Sequence, residues 1–268
     1  MSINAKKKIV IGNWKMNLTV PESIILSERI EKEMASYKYT DVVVCPSFLS
    51  IYPVSSILKD SPIKIGAQNL FYEEKGNFTG ETSPSQLRGF ADYVIIGHSE
   101  RRIFLGERDK DIAKKVKTAV TFGFTPIVCF GETLQERGDG LGKVVVTSQL
   151  EAVLGLLTAN EVANVIVVYE PVWAISPSDR VCAPKDAVYI IEALRNLTGA
   201  LYGKDMAEKM RFIYGGSVDD KNAKEFLKER LIEGFLVGGA SMDHNGFLSI
   251  IRDVEKSASR SSKNIPGK

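Results

Sequence analysis

One short segment carries the most chemistry for its length. Residues 165–174 read VIVVYEPVWA: a five-residue apolar run, then Glu170, then Pro171 and an apolar group around Trp173. A carboxylate at the mouth of a buried strand, beside a bulky apolar flap, suits a general base whose pKa desolvation would raise. Other polar residues follow similar apolar runs. Asn13 and Lys15 follow 9–12, Gln68 and Asn69 follow 63–67, and His98, Ser99 and Glu100 follow 93–97. Glu132 lies just beyond 125–129, Gly215, Gly216 and Ser217 follow 211–214, and Gly238 and Gly239 follow 235–237. On one rim these would combine a base, an imidazole, an ammonium and two glycine pairs. Glu170 would take a proton from a carbon beside a carbonyl, while His98 and Lys15 would stabilise the oxyanion of the enediolate that results. Backbone N–H groups around Ser217, Gly238 and Gly239 would cradle a phosphate, because glycine lets the backbone approach a bulky anion closely.

Such a rim needs elements that converge. The runs named above, with 42–45 and 165–169, make eight, and the stretches between them carry a helical period. Ala187, Ile190, Ile191, Leu194 and Leu197 share one face, as do Ile112, Val116, Ala119 and Val120. Residues 84–90 give a short, weaker helix. Strand–helix alternation eight times over predicts an α/β fold: a closed (β/α)8 barrel forming a single domain over 1–256, in preference to an open doubly wound sheet. In such a barrel the chemistry gathers at the carboxyl ends of the strands. Residues 257–268, SASRSSKNIPGK, are polar and lack a period, which predicts a disordered basic tail.

Composition narrows the classes of function. The chain has 268 residues, 44% hydrophobic and 25% charged, enough for a sizeable core. Its 35 basic and 33 acidic residues leave a net charge of +2, which argues against nucleic acid or a membrane surface held through bulk charge. Cys45, Cys129 and Cys182 form no CxxC pair, the two histidines are His98 and His244, and no metal-ligand spacing occurs. No metal and no cofactor are therefore expected, and Cys129 reads as a small buried hydrophobe. The absence of a signal-like segment at 1–13 and of an apolar run long enough to cross a bilayer predicts a soluble, cytoplasmic protein.

Each residue also has a plainer account. Glu170 could cap the next helix, Lys15 could be a surface lysine, Asn13 a turn residue, the glycine pairs simple turns, and His244 a satisfied histidine. What favours chemistry is their shared position after strands. With no Schiff-base arrangement, metal cluster or GxGxxG after the first strand, the reaction left is cofactor-free proton transfer on a small phosphorylated carbonyl compound. An epimerase or aldolase on the same barrel would want a metal-ligand set or a Schiff-base lysine deep in a strand. A slow or non-catalytic protein that binds such a phosphorylated compound, or a partner protein, is the other alternative.

The same residues sit in motifs through which the chain closely resembles the triosephosphate isomerase family. These are NWKMN at 13–17, GAQN at 66–69, FTGE at 78–81, GHSERR at 97–102, CFGE at 129–132, YEPVWAI at 169–175, YGGSV at 214–218 and LVGGAS at 236–241. Eight motifs in register along nearly the whole chain are specific where any one is weak. The resemblance implies a TIM barrel that interconverts dihydroxyacetone phosphate and D-glyceraldehyde 3-phosphate, the step shared by glycolysis and gluconeogenesis. It implies Glu170 as base and His98 as neutral electrophile, an arrangement long known for that family. It further implies that Lys15 supplies positive charge and pairs with Glu100, that Asn13 orients the substrate, and that Ser217, Gly238 and Gly239 hold the phosphate. Ser99 is a supporting residue. A homodimer is implied, with Thr79 near the partner subunit's Asn13 and Lys15, and Glu81 paired with the partner subunit's Arg101.

One departure stands out. After PVWAI the family has a glycine-containing lid tip, GTGK, whereas this chain has Ser176, Pro177, Ser178, Asp179, Arg180, Val181 and Cys182 and is one residue longer. Ser176 takes the place of a phosphate-binding amide donor, and Pro177 restricts it. The expectation is the same reaction with altered lid kinetics.

Overall fold

The computed structural model describes residues 6–34, 37–175 and 180–263, with side chains to residue 260. Eight strands form: β1 (Lys8–Asn13), β2 (Thr40–Cys45), β3 (Lys64–Ala67), β4 (Tyr93–Ile96), β5 (Thr125–Phe130), β6 (Ile166–Tyr169), β7 (Arg211–Tyr214) and β8 (Gly234–Val237). All pairings are parallel, and the strands close in chain order into a barrel, with β8 returning to β1. This is the expected (β/α)8 barrel. Its strands read as near-continuous apolar runs because both faces are covered. Alternate residues go inward, where Ile9, Ile11, Val43, Ile95, Ile127, Ile166, Val168, Ile213 and Leu236 fill the barrel with Cys45 and Cys129. Their neighbours, such as Val10, Val44, Val94, Val128 and Val167, point outward into a second core beneath the helices.

The helices supply the outer wall. Helix Asp109–Thr121 buries Ile112, Val116 and Ala119, and helix Pro184–Tyr202 buries Ala187, Ile190, Ile191 and Leu194. The weaker stretch at 84–90 forms one turn, Pro84–Leu87, closed by a reciprocal cap between Ser83 and Gln86. The barrel seam needs a glycine: a Cβ on Gly234, at φ 156°, would lie 1.9 Å from the Ile9 carbonyl oxygen.

The carboxyl end of the chain differs from expectation. The last helix runs His244–Lys263, so the segment predicted to be a tail is helical as far as Lys263. The helix is anchored by buried Phe247, Leu248, Ile250, Ile251 and Val254. The Glu255 carboxylate accepts the amides of Lys38 and Tyr39 at 2.8 and 2.9 Å. A helix so nucleated propagates through SASRSSK, which contains no glycine or proline. Residues 264–268 lie outside the described residues. Among the described residues, no helix is long and apolar enough to cross a membrane.

Candidate active site

The backbone carrying Glu170 is fixed before its side chain is considered. Glu170 N donates to Phe130 O at 2.8 Å and Gly215 N donates to Tyr169 O at 2.8 Å, extending the β5–β6–β7 ladder one residue past β6. Pro171 then ends it, having no donor. Residues Val172–Ala174 make one 3-10 turn. The loop after β5 presses close: a Cβ on Gly131 would lie 1.8 Å from the Glu170 carbonyl oxygen, so only glycine fits.

The Glu170 side chain is wholly buried, and its carboxylate is held by three donors. His98 Nε2 lies 2.9 Å from Oε1, Ser99 Oγ donates to Oε1 at 2.9 Å, and Ser99 N donates to Oε2 at 3.1 Å. His98 caps the helix Ser99–Leu105, its Nδ1 accepting the Glu100 amide at 3.2 Å. That geometry assigns the ring hydrogen to Nε2, facing Glu170.

Burial alone would raise the Glu170 carboxyl, but the charge and hydrogen bond of His98 and the two donations from Ser99 outweigh it and hold it below its ordinary value. The expectation of a raised pKa is corrected here. Desolvation was legible in the sequence; the partners were not. For His98, burial opposes protonation, and Glu170 outweighs it, with Glu100 adding to the rise, so the imidazole stands above its ordinary value. The part of each shift that comes from the other residue is one interaction seen from both sides.

Lys15 is, among the described residues, the sole non-glycine at positive φ, 51°. Two side chains hold it there: Asn13 Oδ1 accepts the Lys15 amide at 3.1 Å, and Gln68 Nε2 donates to the Lys15 carbonyl at 2.8 Å. Strain of this kind persists only where surrounding contacts impose it. The ammonium meets Glu100 Oε1 at 2.5 Å. Gln68 follows a strand in the sequence, but its grip on the Lys15 backbone could be found only in three dimensions.

Asn13, Lys15, His98, Glu170, Ser217, Gly238 and Gly239 all line one cavity of about 160 Å³. Gly238 precedes the 3-10 turn Gly239–Ser241, whose first amides have no acceptor within the turn. The Ser217 amide is occupied, donating to Ala174 O at 3.2 Å. Asp219 lines the same cavity, with Oδ1 accepting the amides of Lys221 and Asn222 at 2.9 Å each. Ser176 lies outside the described residues.

Sequence reading located Glu132 without a role. It is wholly buried below Trp173, and its Oε1 accepts Trp173 Nε1 at 2.7 Å and Tyr169 OH at 3.0 Å. Cys129 and Cys182 are buried, and burial pushes the Cys182 thiol up to about 12. Among the described residues no cluster of three or more His, Cys, Asp or Glu side chains could hold a metal ion.

The residues assigned by resemblance to a dimer lie elsewhere. Thr79 and Glu81 line a larger hollow, about 640 Å³, formed within the loop 71–86 and containing none of the cluster above. Arg101 is paired within its own chain, its Nε 2.6 Å from Glu107 Oε1. Lys115 reaches the same oxygen at 2.5 Å and Asn69 Oδ1 at 2.9 Å.

The family description "Triosephosphate isomerase" matches residues 8–254. Proteins of that name from Dehalococcoides mccartyi strain CBDB1 and Carboxydothermus hydrogenoformans are 41% and 42% identical, each over 92% of this chain and over 96% and 98% of their own length. One from Thermoanaerobacter sp. strain X514 is 41% identical over 92% of this chain and 99% of its own. A likeness of this extent, on a barrel that brings a carboxylate, an imidazole and an ammonium to one mouth, places the chain in the triosephosphate isomerase family.

Proposed function

We propose that the chain interconverts dihydroxyacetone phosphate and D-glyceraldehyde 3-phosphate through an enediolate, without a cofactor. The observation that carries this is the convergence of Glu170, His98 and Lys15 on one cavity with Gly238 and Gly239. In this reading the substrate phosphate is held by the amides of Gly238, Gly239, Ser217 and Ser176, and Asn13 orients the triose. Glu170 leaves Ser99 and His98 to shuttle a proton between the two carbons. His98 Nε2–H, released from the carboxylate, then donates to the substrate carbonyl. The larger influence that raised the imidazole leaves with Glu170 while the Glu100 carboxylate stays, and the Glu100 amide on Nδ1 favours the neutral ring. Lys15, steadied by Glu100, stabilises the oxyanion.

The partner in this reading is a second copy of the chain. Met16, Leu49 and Phe104, each in the segment that follows a strand, are exposed at 95, 84 and 77%, apolar side chains that a homodimer would cover. Arg101 and Lys115 share the Glu107 carboxylate, and in a homodimer the partner subunit's Glu81 would pair with Arg101. Thr79 would then approach the partner subunit's Asn13 and Lys15. A cytoplasmic location is proposed with the enzyme.

The test is a coupled assay of the purified chain with D-glyceraldehyde 3-phosphate and no added cofactor. Saturable isomerisation is expected. Binding of the substrate without turnover would instead favour the non-catalytic reading.

A further inference from the structure

The geometry points to Arg137 as a positioning residue for Glu170, acting through Trp173; the inference rests on the isomerase reading above. The base stands at one end of a short lever, residues 170–173. The Glu170 backbone is pinned to β5 and β7, so what fixes the far end sets how freely the turn beyond it, and with it the direction of the side chain, can shift. The Trp173 ring is gripped at its edge by Glu132 and over its face by the Arg137 guanidinium, 4.4 Å from the ring centroid. Arg137 is itself held from behind, donating to Asp186 Oδ2 at 2.8 Å. Asp186 lies in the first turn of helix Pro184–Tyr202, so one guanidinium joins the turn after the base to that helix.

The mounting of Arg137 is also fixed. It sits on helix Leu134–Gly138, whose start is closed by reciprocal bonds between Thr133 and Glu136. Arginine suits the place because its plane stacks on the indole while its edge donates to a carboxylate. Glu132 cannot do this work alone. Its Oε2 has no partner, and among the described residues it forms no ion pair. The contact on the indole face opposes tilting of the ring about the Glu132 bond. Tilting would pass along Val172 and Pro171 to the base.

The test is a cycle of Arg137→Gln, Trp173→Leu and the double variant, with Arg137→Lys and Asp186→Asn alongside. Arg137→Gln should lower kcat about tenfold, the order expected for a sub-ångström displacement, with KM within about twofold. Arg137→Lys should recover part of the loss. In the Trp173→Leu background Arg137→Gln should change kcat little further, because leucine offers no ring face and the path is already cut. The inference is overturned by a kcat within about twofold of wild type, by a loss confined to KM or to melting temperature, or by an equal loss in the Trp173→Leu background. Should Arg137→Gln not fold, Asp186→Asn with and without Trp173→Leu runs the same cycle. An inactive wild-type chain overturns the isomerase reading and this inference with it, a result distinct from a silent Arg137 variant of an active enzyme.

Discussion

The Ser217 amide donates to the Ala174 carbonyl at 3.2 Å, so a proposed phosphate donor is committed to the turn that follows Glu170. A phosphate can take this hydrogen only by displacing Ala174. Engagement at the phosphate end and movement of the 172–174 turn are thus two sides of one exchange. The Ser217 amide resonance should shift when substrate is added at saturation. A resonance that stays in place would mean that phosphate is bound without this donor.

Glu170→Asp shortens the proposed base by one methylene while keeping its charge. With the backbone pinned to β5 and β7, the carboxylate cannot follow. Turnover should fall by about 100-fold, the order that misplacement by an ångström costs, and KM should change far less. Steady-state rates in both directions check this, and an unaltered rate removes Glu170 from its role.

Acid stability should depend on the same pair. Glu170 titrates below its ordinary value of 4.5 in the fold. Its contribution is therefore present above that value and is lost as pH falls through the lower, folded one. His98 is raised, so its contribution is full below its ordinary 6.5 and is lost as pH climbs through the folded value. Melting temperatures of wild type and Glu170→Gln should converge as pH drops below about 4.5. Parallel curves from pH 7 to 3 would show that the carboxylate contributes nothing to acid stability.

Gly131→Ala would force a methyl group into the Glu170 carbonyl, and neither backbone can yield without breaking the β5–β6 ladder. A loss of about 1–3 kcal/mol is expected, the usual range for overpacking, together with a fall in kcat. Denaturant unfolding and the coupled assay read the two effects.

Much of this was open to inspection in the chain itself. The eight runs stand out because a parallel barrel buries both strand faces, which leaves little alternation to blur them. Glu170 and His98 are legible because each directly follows a run, and Lys15 because it lies three residues past one. The partners are not. Nothing in the spacing says that Ser99 would donate twice to Glu170, that Gln68 would hold Lys15 at positive φ, or that Arg137 and Asp186, 49 positions apart, would meet beside Trp173. Such contacts depend on how loops of different lengths fold back over the rim. Residues 257–263 misled for a related reason. They have no apolar face of their own and continue a helix anchored earlier.

Thr79→Arg should separate a dimer. Sedimentation should show a monomer, with turnover reduced as the proposed neighbours Asn13 and Lys15 lose support. An unchanged sedimentation profile would place the interface elsewhere.

The Glu255 carboxylate closes over the amides of Lys38 and Tyr39, more than 200 positions earlier in the chain. The entrance to the second strand is therefore completed by a segment synthesised more than 200 residues later. On the ribosome the β1 edge stays uncovered until β8 emerges, and the turn at Lys38 and Tyr39 stays unlatched until helix His244–Lys263 follows. A nascent chain stalled before that helix should therefore be the form most exposed to proteolysis and self-association.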